Sequence, residues 1–124
     1  MSKTTVKDFQ LFKTECRKWI DVFGLKGWEC YFRHEKEEDI YVARLSPNVE
    51  NRTCTFFFAV DWGDSPLSEL EIKKTAFHET MELFLTRFRH LALKRDIREA
   101  EILEEDHHII RILENVLFDS FEEN

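Results

Sequence analysis

Ser68-Glu69-Leu70-Glu71, and after it Ala76-Phe77-His78-Glu79-Thr80-Met81-Glu82-Leu83-Phe84, is the stretch on which the fold turns. Ser-x-x-Glu is a capping box, in which the serine hydroxyl and the glutamate carboxylate satisfy amide groups that a helix start leaves unpaired. Downstream, Leu70, Phe77, Met81, Phe84, Phe88 and Leu91 stack on one side at about 3.6 residues per turn, so the spacing predicts a long amphipathic helix. On that helix His78 and Glu82, four residues apart, project from the same side about 6 Å apart, within reach of one metal ion. Glu79 is turned to the neighbouring side.

Ahead of this helix, Asp61-Trp62-Gly63-Asp64-Ser65-Pro66 breaks a preceding strand. Three short runs rich in aromatic and β-branched residues read as strands: Trp28 to His34, Ile40 to Leu45 and Thr53 to Val60. The charged segment Glu35 to Asp39 and the loop Ser46 to Asn51 are short enough for hairpins, so the expected sheet is three-stranded and antiparallel. Earlier still, Phe9, Phe12, Cys16, Trp19, Ile20 and Phe23 recur at spacings of three and four, and Gly24 closes the helix they define. After the motif helix, Arg98 to Phe118 forms a last helix with Ile102, Leu103, Ile109, Ile110, Leu113, Val116 and Leu117 expected inward. The predicted class is α+β: an N-terminal helix, a three-stranded antiparallel sheet covered on one face, then two long helices. Residues 1–124 are read as a single domain, since 124 residues with 43% apolar content, twelve phenylalanines and three tryptophans fill one core.

Composition also narrows function. A formal charge of −7 is unsuited to tracking phosphates, which draws on clustered cations to release counterions, so nucleic acid is not an expected partner. The basic residues Arg87, Arg89, Lys94, Arg95 and Arg98 are attributed to the negative end of a helix dipole. Neither a membrane-crossing run of about 18 apolar residues nor a signal-peptide core near Met1 is present, so the expected location is cytoplasmic, with no membrane partner. Cys16, Cys30 and Cys54 form no C-x-x-C pair and are expected to be reduced and mostly buried. His34 is read as a surface residue, His90 as a helix-end histidine, and Trp62 as the tryptophan nearest a cleft.

His78-Glu79-x-x-Glu82 differs from the zinc-protease pattern H-E-x-x-H in having a glutamate as its last residue. A carboxylate oxygen remains an acceptable zinc ligand, and the intervening glutamate of such a motif lies where it can take a proton from water. A catalytic zinc takes three protein ligands and an open position, so a further donor must come from elsewhere. Helical phase puts His107 on the border of the last helix's apolar stripe, while His108 points nearly opposite to the core. His107 is therefore the preferred third ligand, with Glu104 as the fallback.

With these residues placed, the chain resembles the small zincin-like metallopeptidases encoded in bacteriophages and prophages, and more loosely SprT-like and minigluzincin layouts. The carriers are Trp19-Ile20, Trp28, Tyr41-Val42-Ala43-Arg44, Lys74-Thr75-Ala76-Phe77-His78-Glu79 with Glu82-Leu83, and His107 with Ile109-Ile110-Arg111-Ile112-Leu113-Glu114-Asn115. The resemblance implies zinc held by His78, Glu82 and His107, proton transfer by Glu79, a phage setting, and a peptide or protein as substrate or target. It also implies that the strand before the motif helix, Thr53 to Val60, offers its edge to an extended peptide. The alternative expectation is a non-catalytic phage accessory protein that uses the same scaffold to bind a host or phage protein.

Overall fold

Helix α1 (Val6–Val22) begins where Thr5 and Asp8 cap each other's amide groups, the side chain of each accepting from the other's backbone N–H. It ends at Gly24, whose φ of 67° is the left-handed conformation that costs glycine little. There the Gly24 amide donates to the Asp21 carbonyl and the Leu25 amide to that of Ile20, the paired bonds of a Schellman stop, with Leu25 buried beneath the turn. The computed structural model describes residues 2–37 and 41–122. Ile40, expected in the second strand, lies outside the described residues.

The strands are β1 (Glu29–Glu35), β2 (Ala43–Asn48) and β3 (Thr53–Ala59), ordered β1-β3-β2. The sheet is mixed, which corrects the antiparallel expectation: β2 and β3 form the expected antiparallel hairpin, but β1 runs parallel to β3 with Cys30 opposite Cys54. β1 and β2 therefore lie on opposite sides of β3 and do not form a hairpin with each other. The reason lies in the side chains. Cys54, Phe56 and Phe58 fill one face of β3 and Phe57 and Ala59 the other, which suits the centre, whereas β2 carries Pro47, which has no backbone N–H to donate to a ladder and belongs at an edge.

Helices α1 and α2 (Glu69–Phe84) cover one face of the sheet. Phe12 of α1 stacks on Phe58 at 4.7 Å between ring centroids and meets Phe56 edge-on at 6.5 Å, with all three rings fully buried. Cys16 and Cys54 are buried and Cys30 half-buried; all three are free thiols, and Cys54 Sγ lies 3.3 Å from Cys30 Sγ. Before α1, Thr4 and Ser2 pair with the chain beyond β3, through Thr4 N–H to the Val60 carbonyl and Ser2 N–H to that of Gly63. His34 is thereby drawn inward, against the surface reading: its ring stacks on Phe9 at 5.0 Å, and Nε2 lies 2.7 Å from the Thr4 hydroxyl.

The motif helix stops at Leu85, and a separate short helix, α3 (Thr86–Ala92), continues from it. Ser68 caps α2 as expected, accepting from the Glu71 amide. The buried side of α2 is Ile72, Ala76, Glu79, Thr80, Leu83 and Phe84. That is a rotation away from the predicted stripe, since Leu70, Phe77 and Phe88 are exposed. The last helix is α4 (Glu99–Leu113), extended by a π-helical turn at Glu114–Phe118 and a short α5 (Asp119–Glu122). Ile109, Ile112, Leu113 and Val116 pack against the core, while Leu103, Ile110 and Leu117, expected inward, are about half exposed.

Candidate metal centre

Rotation of α2 places Glu79 on its inner side. The residue is 4% exposed, and Oε1 has no hydrogen-bond partner among the described residues. An unpaired buried carboxylate oxygen is costly, because it has lost its water without gaining a donor. Beside it stand Glu82 and His78, one turn apart, with His78 Nε2 3.9 Å from Glu82 Oε2. Ligand atoms of His78, Glu79 and Glu82 all lie within 4.8 Å of one another. Burial, and then the neighbouring carboxylate of Glu82, push the Glu79 carboxyl up to about 8. Arg89 acts in the opposite direction.

Arg89 is tied into this cluster directly. It donates from Nη2 to the Glu82 carbonyl at 2.8 Å, and Nη1 stands 3.7 Å from Glu82 Oε1. The basic residues of α3 and its end thus have specific partners beyond a helix dipole: Arg87 faces Glu105 at 3.6 Å and Lys94 faces Glu101 at 4.0 Å. Thr86 ties its hydroxyl to the Glu82 carbonyl at 2.8 Å, holding the junction of α2 and α3 beneath the cluster.

His107 is not brought to this group. Glu105 is the buried residue of α4, and His107, two positions on, lies about 200° further round the helix and is exposed. The contacts of α4 also run to α3, beyond the end of α2. His108 lines a cavity beside Arg87 and Glu105, and Glu104 is exposed, so neither alternative donor joins the group. Glu105 was missed from sequence, although it continues the line of Ile109, Ile112 and Val116 by one turn.

The cluster lies against the β2 edge of the sheet. On one side a cleft of about 460 Å³ is bounded by Tyr41, Val42, Lys74, His78 and Glu79. On the other, a cleft of about 310 Å³ lies between Leu45 and Pro47 of β2 and Glu82, Arg89 and His90. Among the described residues, β2 has β3 on one side and no strand on the other. The strand expected to receive a peptide, Thr53 to Val60, is instead paired on both sides over its β3 residues, and β2 has the open edge beside the cluster. All three tryptophans border cavities: Trp62 near Tyr41, Trp28 near Arg87 and Trp19 beside His78.

One imidazole nitrogen and two carboxylates fit a divalent cation, since zinc bonds both donor types at about 2.0–2.2 Å. The Glu79 Oε1 without a hydrogen-bond partner is an observation in favour of that fit, because a cation would add positive charge beyond that of nearby Arg89 at an oxygen no donor reaches among the described residues. Comparison with family models, characterised proteins and solved structures finds no match. Among the described residues, no helix is long and apolar enough to cross a membrane.

Proposed function

We propose that this chain is a zinc-dependent, metallopeptidase-like protein in which His78 and Glu82 hold the ion and Glu79 carries the proton. The observation that supports it is the buried Glu79 carboxyl group, which has an oxygen without a hydrogen-bond partner among the described residues and offers a ligand atom within 4.8 Å of a histidine and a second carboxylate. When bound, zinc supplies Lewis acidity that polarises a carbonyl and makes water a better acid. Glu79, buried beside His78 and Glu82, accepts a proton from the attacking water and returns it to the departing amine nitrogen. Arg89 holds Glu82 by charge, and the open edge of β2 pairs with the peptide backbone. The target is a peptide or protein, and the setting is the cytoplasm of a phage-infected host.

A second reading is favoured by one specific observation. With His107 outside the group and Glu79 reserved for the proton, two protein ligands remain for the ion, whereas catalytic zinc sites carry three. In that reading the scaffold binds a host or phage protein without cutting it, and zinc adds stability.

Zinc content and peptide turnover, measured on the wild type and on His78→Ala, Glu82→Ala, His107→Ala and Glu79→Gln, test both. The catalytic reading expects stoichiometric zinc in the wild type, lost in His78→Ala and Glu82→Ala, kept in His107→Ala, with turnover abolished in Glu79→Gln. Absence of stoichiometric zinc in the wild type sinks the metal centre. Zinc without turnover, and target binding retained by Glu79→Gln, establishes the second reading.

A further inference from the structure

Next to His78, on the side away from β2, a groove of about 570 Å³ runs between α1 and α2. Its floor is aromatic: Trp19 meets Phe77 edge-on at 4.9 Å, Phe77 is 39% exposed, and Met81 continues the surface. Its rim is cationic. Lys18 lies 4.7 Å over the Trp19 ring and is paired with Glu15 at 3.0 Å. Lys73 and Lys74 also line the groove and have no ion-pair partner among the described residues. In a chain of net charge −7, two unneutralised lysines beside an exposed aromatic floor form a local field opposite in sign to the whole.

The groove adjoins the candidate centre, because His78 and Lys74 stand between it and the cleft that holds Glu79 and line both. A chain lying across His78 would therefore drop a side chain between the two helices. The volume falls within the usual range for ligand pockets, about 300–1,000 Å³, and the lining sets an apolar floor of Trp19, Phe77 and Met81 inside a charged rim.

We infer that the α1–α2 groove is a side-chain subsite that takes a large aromatic residue of a peptide, with the lysine rim selecting an acidic residue beside it. The inference rests on the proposed peptide-directed reading of the His78 site and adds the class of sequence recognised. The aromatic ring packs on Phe77 and Trp19, where ring pairs gain beyond area burial, and the acidic neighbour meets Lys73 and Lys74.

The test is an amide-shift NMR titration of the full chain with three capped pentapeptides built on alanine. One carries adjacent phenylalanine and glutamate at its centre, one replaces the phenylalanine with alanine, and one replaces the glutamate with lysine. Each is titrated into zinc-free and zinc-loaded protein, with zinc content measured on the same samples. The expected result is binding that shifts the amides around Trp19 and Phe77, with about ten-fold or greater loss on removing the ring. Exchange of glutamate for lysine should cost about three-fold, and Lys73→Glu should reverse that charge preference. Equal affinity for all three peptides, or shifts confined to other surfaces, overturns the subsite. The zinc ratio reads the metal centre separately: groove binding in a protein that takes no zinc defeats the metal reading and leaves the subsite standing.

Discussion

Glu79→Gln in metal-free protein should raise stability, by an amount that grows with pH. The Glu79 carboxyl rises from 4.5 to about 8 through burial first and the Glu82 carboxylate second. At about 1.36 kcal/mol per unit, that rise sets a ceiling of about 5 kcal/mol on the cost of ionising it in the folded chain. Water entering through half-exposed Glu82 and the flanking clefts should lower the realised cost to about 2–3 kcal/mol. The folded state holds this proton more tightly than the unfolded state, so between about pH 4.5 and pH 8 it binds more protons. Glu79 therefore makes wild-type stability fall as pH rises through that window. Glutamine keeps the shape and cannot ionise. The stability difference between variant and wild type should be near zero at about pH 4.5, climb to about pH 8 and then level off. Urea midpoints of both proteins, taken with chelator present from about pH 4.5 to pH 9, measure it, since titrations common to both cancel in the difference. A difference that is flat with pH, or that favours the wild type at alkaline pH, would refute the placement of Glu79 as a buried acid held protonated by its surroundings.

Phe12→Ala should cost about 3–5 kcal/mol in urea unfolding, because a fully buried ring stacked on Phe58 and Phe56 is removed from between helix and sheet. Arg87→Ala should cost about 1–2 kcal/mol by leaving the Glu105 carboxylate buried without its cation. Made in a Glu105→Gln background, the same change should cost far less; equal costs in the two backgrounds would show that the pair is not coupled. Ser68→Ala should cost about 1 kcal/mol through the lost bond to the Glu71 amide, read as a lower urea midpoint at unchanged slope.

Several features were written in local chemistry and needed nothing distant to be read. The capped start of α2 at Ser68, the glycine stop of α1 at Gly24, the β2–β3 hairpin and the pairing of His78 with Glu82 all depend on residues within a few positions of one another. The α+β class followed from the same periodicities. Sheet order did not, because which strand takes the centre depends on competition between distant segments. The doubly apolar Cys54 to Ala59 and the Pro47 of β2 were visible, but their consequence appears only when three strands compete for one position.

For the site, sequence spacing determined that His78, Glu79 and Glu82 share a stretch of helix surface, since a helix fixes the separation of residues three and four apart. Which of them would be buried was decided by tertiary structure. Packing of α2 on α1 and β2 turned the helix so that Ile72, Ala76 and Leu83 face inward and carry Glu79 with them, leaving Phe77 to line an open groove. The position of His107 was likewise beyond local reach. Apolar periodicity ranks the faces of α4, but which part of the stripe meets the core is a tertiary outcome: Ile109, Ile112 and Val116 pack inward in line with Glu105, which faces Arg87 of another helix, and His107 is turned outward.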